Sequence, residues 1–110
     1  MNHHDFDQVL ESRIQDLRTR LGVKSAEYST EGDKLHNFKA AARKMDITPE
    51  QALLGMEVKH DVSITDIIAA LPGSLPSLPL WNEKIGDKIA YYVLLDALVQ
   101  ERLTGDTATS

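Results

Sequence analysis

The 110-residue chain contains no cysteine, and it has no apolar stretch near the ~20 residues that a membrane-spanning helix requires. The missing cysteines exclude disulfide bonds and thiolate metal ligands. The first residues do not combine a basic segment with an apolar run, so we expect no signal peptide. We therefore expect a cytoplasmic protein that does not bind or cross a membrane.

Positive charge is also scarce, because 12 Lys and Arg residues are outnumbered by 17 Asp and Glu residues, for a formal net charge of -5 at pH 7. Proteins that bind nucleic acid regardless of sequence need a basic surface, so we expect no direct DNA binding. Binding of a single nucleotide is compatible with this charge, since acidic side chains can hold Mg²⁺ against a phosphate.

Apolar residues recur at intervals of three and four along most of the chain, which is typical of amphipathic α-helices. Four main helices are predicted, at residues 5–21, 34 or 35–45, 49–71 and 83–103. A short helical turn followed by a loop is predicted over residues 23–33.

Local signals indicate where these helices begin. Asp5 and Asn82 are the predicted N-caps of the first and last helices, because their side chains can accept hydrogen bonds from free backbone N–H groups. Residues 48–51, Thr-Pro-Glu-Gln, have the pattern of a capping box at the start of the third helix. The prolines between residues 72 and 80 exclude a helix in the middle of that segment.

The last helix is apolar on nearly every side between Ile85 and Val99. A helix that is apolar all round is buried all round, which places this one at the centre of the molecule or at a subunit interface. We therefore predict an all-α, four-helix, bundle-like single domain over residues 1–103 that forms a homo-oligomer. Residues 104–110 are polar and are predicted to form a disordered tail.

The predicted third helix carries titratable groups in an apolar position. Wound at ~100° per residue, it places Glu57, His60 and Asp61 inside the sector that its apolar side chains occupy. Carboxylates are almost never buried without a partner, because removing their charge from water is costly. This helix therefore either meets cations on another helix or helps to hold a metal ion.

Two pairs of acids have a spacing that suits a divalent cation. Glu57 with Asp61, and Glu83 with Asp87, each lie one turn apart on one helix face. If the two helices pack antiparallel, the four carboxylates converge, and such oxygen-rich clusters bind Mg²⁺ or Mn²⁺. In the alternative interpretation, the acids face solvent or pair with cations of this chain, namely Lys24, Lys59, Lys84, Lys88 or Arg43.

Further polar side chains suit a nucleotide. Lys24, Glu27 and Tyr28 lie close together before the loop, where lysine can reach a phosphate and tyrosine can stack on a base. Asn37 lies at the start of the second helix, whose free N–H groups attract anions, and its amide can recognise a base edge. The same residues also fit a solvated ion pair, a partly buried tyrosine and a helix cap.

Several segments together resemble a known family. They are residues 24–28 (KSAEY), 35–38 (LHNF), 47–56 (ITPEQALLGM), 59–60 (KH) with Ser63 and Asp66, and 83–91 (EKIGDKIAY). Their order and spacing resemble the small helical phage and prophage proteins that are grouped as a nucleotide-modification-associated domain. The resemblance covers about residues 23–103.

That family is distantly similar to the all-α nucleoside triphosphate pyrophosphohydrolases of the MazG and dimeric dUTPase group. The resemblance implies Mg²⁺ ligands on two helices and cleavage of a nucleoside triphosphate to monophosphate and pyrophosphate. Asp87 matches the aspartate of the second acidic motif, whereas Lys84 takes its glutamate position and Glu83 lies one residue early. The first acidic motif is matched only in part, by residues 24–27 and 57–61.

Two hypotheses about function follow. In the first, the chain is a phage-type nucleotide-binding protein that uses Mg²⁺ or Mn²⁺, and whether it also hydrolyses the nucleotide is left open. Its catalytic residues would be Glu57 and Asp87. The metal would be held by Glu27, Glu57, Asp61, Glu83 and Asp87, the phosphates by Lys24 and Lys59, and the base by Tyr28 and Asn37.

In the second hypothesis, the chain is a non-enzymatic helical module. It would be a protein-binding phage regulator, an anti-defence protein with a host protein as partner, or a sponge for a nucleotide signal. The acids of the third and fourth helices would then pair with Lys and Arg inside the bundle or across a subunit interface.

Overall fold

The computed structural model of the chain describes residues 1–22 and 32–105. Within these residues there are four α-helices and no strand: α1 (His3–Leu21), α2 (His36–Met45), α3 (Pro49–Ala70) and α4 (Leu78–Leu103). The predicted all-α fold is confirmed. The turn predicted over 23–33 lies mostly outside the described residues, as does most of the predicted tail.

Helix α1 begins two residues before the predicted start. Asn2 is its N-cap, because the Asn2 side chain accepts a hydrogen bond of 2.8 Å from the backbone N–H of Asp5. The prediction that Asp5 caps this helix is therefore wrong. Asp5 instead lies in the first turn, where a carboxylate interacts favourably with the positive end of the helix dipole.

The capping box predicted for α3 is confirmed. The Thr48 hydroxyl accepts from the backbone N–H of Gln51 at 3.1 Å, and the Gln51 side chain accepts from the backbone N–H of Thr48 at 2.9 Å. Pro49 occupies the first turn, where its missing N–H would have no partner inside the helix.

Helix α4 begins earlier than the sequence pattern indicates. Its N-cap is Ser77, whose hydroxyl accepts from the backbone N–H of Leu80 at 3.2 Å, so the prediction of a cap at Asn82 is wrong. Pro79 does not prevent this start, because a proline in the first turn breaks no intrahelical hydrogen bond. Asn82 instead accepts hydrogen bonds from Arg13 through its backbone carbonyl and its side-chain oxygen, at 3.4 and 3.3 Å.

Helices α3 and α4 form an antiparallel hairpin joined by residues 71–77. Two ion pairs show that the helices run antiparallel. Arg102 at the end of α4 contacts Glu50 at the start of α3, whereas Lys88 in the first half of α4 contacts Asp61 in the second half of α3. Helix α2 packs against α3, and α1 packs against α4. The apolar core lies where α2, α3 and α4 meet, and is formed by Leu35, Phe38, Leu53 and Leu98, with Tyr91, Leu94 and Leu95 packed against it.

The core is small for a chain of this length. Among residues 1–22 and 32–105, the largest fully buried side chains are those of Leu53 and Glu57, and α1 has no buried residue. Helix α4 contacts both α1 and α3, yet Tyr92, Val93 and Val99 on it remain between 37% and 44% exposed. The predicted subunit interface on this helix therefore stays a prediction. None of the described helices is long and apolar enough to span a lipid bilayer.

Replacing Leu53 with Ala is expected to lower the free energy of unfolding by about 2–5 kcal/mol, because Leu53 is fully buried and the surrounding helices cannot close the cavity completely. Urea denaturation followed by circular dichroism measures this loss. The matched control is Leu75→Ala, since Leu75 is 77% exposed and its removal should change the free energy by about 0.5 kcal/mol or less. Equal losses in both variants would contradict the assignment of Leu53 to the core.

Candidate functional site

Charged side chains from three helices meet beside the apolar core. This charged cluster consists of Arg20 on α1, Glu57, His60 and Asp61 on α3, and Asp87 and Lys88 on α4. It includes three of the four acids whose convergence the sequence predicts for an antiparallel pair of helices.

Glu57 is the most deeply buried member of the cluster. Only 2% of its surface is exposed, and the ammonium group of Lys88 donates to its Oε1 atom at 2.8 Å. A buried carboxylate without a partner is strongly unfavourable, and its ion pair must be well formed to offset the lost hydration. Lys88 supplies that partner from the facing helix.

The same ammonium group also donates to Oδ1 of Asp61, which lies one turn after Glu57. The hydrogen bonds to Asp61 and Glu57 hold the pKa of Lys88 above its ordinary value, and the hydrogen bond from Lys88 holds the pKa of Asp61 below its ordinary value. Lys88 further lies over the ring of Tyr92, with Nζ 4.8 Å from the ring centroid. One lysine thus joins two carboxylates of α3 to α4.

Asp87 is held by an arginine from α1. Nη1 of Arg20 donates to Oδ1 of Asp87 at 2.6 Å, and Nε of the same side chain donates to Asp16 at 2.7 Å. Gly86 leaves room for this contact, because a Cβ atom there would lie 2.6 Å from Nη2 of Arg20 and 2.7 Å from Nη1 of Arg13. The Arg20–Asp87 pair joins α1 to the first half of α4, and the Arg20–Asp16 pair within α1 holds the arginine in place.

His60 links the other members of the charged cluster to the core. Its Nδ1 atom is 3.9 Å from Oδ2 of Asp87, and its ring packs on Tyr91 with a centroid distance of 4.9 Å. Its Nε2 atom is buried without a hydrogen-bond partner. Burial raises the pKa of Tyr91, whose ring also makes an edge-on contact with Phe38 at 6.1 Å.

The remaining predicted site residues do not join the cluster. Lys59, Glu83 and Asn37 are exposed, and no hydrogen bond or ion pair connects them with the cluster in the described part of the chain. The predictions for Lys24, Glu27 and Tyr28 lie outside the described residues.

Sequence reasoning missed the arginines of α1. Arg13 and Arg20 belong to the side of α1 that contacts α4, and Asp16 lies between them in sequence and accepts from both. Their spacing of three and four residues was a signal, since such residues share one helix face. Their partners Asn82 and Asp87 are more than 60 residues away along the chain, which sequence spacing alone does not reveal.

The carboxylates, as arranged here, do not fit a divalent metal ion. Lys88 binds both Glu57 and Asp61, and Arg20 binds Asp87, so internal cations take the positions that a metal ion would need. Within residues 1–22 and 32–105, no three His, Asp or Glu side chains are placed to share one metal ion. The assignment of Glu27, Glu57, Asp61, Glu83 and Asp87 to Mg²⁺ or Mn²⁺ stays a prediction.

A second ionic group lies at the opposite end of the hairpin. The ammonium group of Lys39 lies 2.9 Å from a carboxylate oxygen of Asp33 and 2.9 Å from one of Glu101. The guanidinium group of Arg102 donates two hydrogen bonds to the carboxylate of Glu50 in a bidentate contact. Lys39, Glu50, Glu101 and Arg102 border a groove of about 530 Å³ between α2 and the end of α4. The hydrogen bond from Arg102 holds the pKa of Glu50 below its ordinary value. Here too the acids are paired with cations of this chain.

Replacing Lys88 with Met is expected to lower the free energy of unfolding by about 3 kcal/mol, because the buried carboxyl group of Glu57 would lose its partner. Chemical denaturation at pH 7 measures the loss. The control is Lys59→Met, on the exposed side of α3, which should have little effect.

The double variant Glu57→Leu/Lys88→Met separates the effect of the buried charge on stability from the effect of side-chain packing. It should regain most of the stability lost in Lys88→Met, because no buried charge then lacks a partner and Asp61 is exposed enough to be hydrated. A double variant no more stable than Lys88→Met would contradict this role for the pair.

The dependence of stability on pH provides a separate prediction. The pKa of Asp61 is lower in the folded chain than its ordinary value of 3.8. The ionised carboxylate of Asp61 therefore adds to the free energy of unfolding above pH 3.8, and this addition is lost as pH falls through the lower folded value. Glu50 behaves in the same way. Denaturation curves collected between neutral and acidic pH should therefore show falling stability in the wild-type chain.

The Lys88→Met variant should respond differently to acid. Without the hydrogen bond from Lys88, the pKa of Asp61 is no longer lowered, so the deficit of this variant relative to the wild-type chain should shrink as pH falls below 3.8. A deficit that stays constant below pH 3.8 would show that the loss arises from packing alone.

The cluster as a whole is an ionic network that joins α1, α3 and α4 and that uses most of its carboxylates internally. Comparisons of the chain with models of protein families, with curated proteins and with solved structures find no match.

Proposed function

We propose that the chain is a non-enzymatic helical module that acts by binding another polypeptide chain. The observation that carries the proposal is the pairing of Glu57, which is 2% exposed, with Lys88. This carboxylate was the strongest sequence candidate for a catalytic or metal-binding acid. Its contacts support a structural role, in which it joins the two longest helices.

The partners of the other acids support the same role. A carboxylate that acts as a general base or as a metal ligand needs a lone pair directed at the substrate or the metal. Asp61 and Asp87 direct oxygen atoms at Lys88 and Arg20 instead. Each carboxylate of the charged cluster thus has a cation of this chain as its partner, and the surface of the molecule is left to make contacts with other molecules.

That surface is rich in apolar side chains. Large exposed apolar patches on soluble domains mark sites of interaction with other proteins. Leu54, Val58 and Val62 on α3 and Tyr92 and Val99 on α4 are each at least 37% exposed. A protein-binding regulator of this kind needs no metal ion and no nucleotide.

A nucleotide-binding protein that uses Mg²⁺ or Mn²⁺ is the second candidate. It is favoured by the antiparallel packing of α3 and α4, which gathers Glu57, Asp61 and Asp87 into one cluster, and by the buried Nε2 atom of His60 that has no partner. Lys24, Glu27 and Tyr28, which this candidate requires for phosphate, metal and base, lie outside the described residues.

A combined stability and turnover assay separates the two candidates. The purified chain is incubated with the eight common ribonucleoside and deoxyribonucleoside triphosphates, with Mg²⁺, Mn²⁺ or chelator, and the products are resolved by ion-exchange chromatography. We expect intact nucleotides and a melting temperature that neither metal nor nucleotide raises, because a ligand stabilises a protein only if it binds the folded state.

Metal-dependent release of pyrophosphate would overturn the proposal. The variants Glu57→Gln and Asp87→Asn would then identify the acids responsible, with exposed Asp96→Asn as the matched variant on α4. A melting temperature that rises with a nucleotide that stays intact would instead support a nucleotide sponge, and would also overturn the proposal.

A further inference from the structure

The first half of α1, residues 3–12, carries an apolar stripe that no other part of the described structure covers. We call this segment the α1 overhang. Its side chains Phe6, Val9 and Leu10 are 58%, 55% and 47% exposed. At ~100° per residue they occupy a sector of about 100°, and Arg13, which contacts α4, lies in the same sector. The stripe therefore continues the face with which α1 packs against α4.

The α1 overhang has a geometric cause. Arg13 donates to Asn82 near the start of α4. Arg20, about two turns later on α1, donates to Asp87, so the two helices run in the same direction. Phe6 lies about 10 Å before Arg13 along α1, whereas α4 begins only about 6 Å before Asn82. The first turns of α1 thus extend past the start of α4, which leaves their apolar stripe without a facing helix.

Acidic side chains border the stripe on both sides. On the helical wheel Asp5 lies about 40° beyond one edge of the stripe, and Asp7 and Glu11 lie about 60° and 100° beyond the other. No ion pair within the described part of the chain reaches these three carboxylates, and residues 1–12 contain no Lys or Arg. With the amino group of Met1 counted, the segment still has an excess of negative charge at pH 7.

This charge indicates what kind of molecule can cover the stripe. Nucleic acids and acidic membranes carry phosphates, which the carboxylates repel. A second copy of the stripe would bring the same three acids, and it holds no Lys or Arg to pair with them in either orientation. A helix with apolar residues at intervals of three and four, bordered by Lys and Arg, is complementary in both apolarity and charge.

We propose that the α1 overhang docks a basic amphipathic helix of another protein. Phe6, Val9 and Leu10 pack against the apolar side of that helix, and Asp7 and Glu11 pair with its Lys and Arg side chains. Packing of one amphipathic helix on the apolar face of another is a common mode of peptide recognition. The inference rests on the proposed function, because it gives the chemical class of the polypeptide that the module binds.

Titration of the isotopically labelled full chain with a synthetic peptide, followed by NMR, tests the inference. The probe is about 15 residues long, enough for four helical turns, and has leucines at intervals of three and four bordered by lysines. We expect saturable shifts of the amide signals of residues 4–11. A matched peptide with glutamates in place of the lysines should bind at least about tenfold more weakly, because its charges oppose those of the overhang.

The variants Phe6→Ser and Leu10→Ser distinguish the stripe from other exposed apolar surface. Each should weaken binding of the lysine peptide about tenfold, because a large apolar side chain is removed from the contact. Gln8→Ser is the matched control, since Gln8 is exposed and lies about 160° from Phe6 on the wheel. All three side chains are exposed in the free chain, so the helical circular dichroism and the melting temperature should not change.

The double variant Asp7→Asn/Glu11→Gln tests the acids. It should weaken binding of the lysine peptide about fivefold and make the affinity less sensitive to salt, because salt screens attraction between exposed charges. Asp96→Asn is the matched control, an exposed acid in the second half of α4.

Failure of the lysine peptide to bind would overturn the inference, as would equal binding by the wild-type chain, Phe6→Ser and Leu10→Ser. Tighter binding of vesicles that contain acidic phospholipid would assign the stripe to a membrane instead, and a dimer that Leu10→Ser abolishes would assign it to a second copy. Each of these results leaves the proposed function standing if metal and nucleotide have no effect on the chain. Pyrophosphate release by a chain that binds the peptide would refute the proposed function and keep the docking site, so the two failures are distinguishable.

Discussion

The contact of Lys88 with Glu57 and Asp61 is the interaction on which the rest of the fold depends. Glu57 lies at the centre of the α3–α4 pair with 2% exposure, and a charge in that position is tolerated only with a cation beside it. Lys88 supplies the cation from the facing helix and reaches Asp61 with the same ammonium group. The contact therefore sets the register of the two longest helices as well as neutralising the buried charge.

Further ion pairs attach α1 and α2 to this hairpin and join its open end. Arg20 joins α1 to Asp87, Lys39 joins α2 to Glu101, and Arg102 joins the ends of α3 and α4 through Glu50. Leu53 is the only large apolar side chain in the described residues with less than 2% exposure. A small apolar core does little by itself to determine which helix faces pack together, so the paired charges define which faces meet.

The pairing of charges inside the hairpin also bears on which side chains remain at its surface. Because the carboxylates of α3 and α4 are directed at Lys88 and Arg20, the polar groups of the hairpin are used in holding helices together. The apolar side chains that a larger bundle would bury, such as Val58 and Tyr92, are instead exposed. A chain of this kind gains most by packing against another chain, which is the basis of the proposed function.

The sequence alone determined the all-α class, the capping box at Thr48 and Gln51, and the need of Glu57 for a cation or a metal ion, because each depends on neighbours within a few turns of one helix. It did not determine the start of α4, since Ser77 and Asn82 are both good caps and only the packed structure uses Asn82 for Arg13. It offered Lys88 as one of several cations for Glu57. Tertiary structure made that choice, because the two residues are 31 positions apart and meet only when α3 and α4 pack antiparallel.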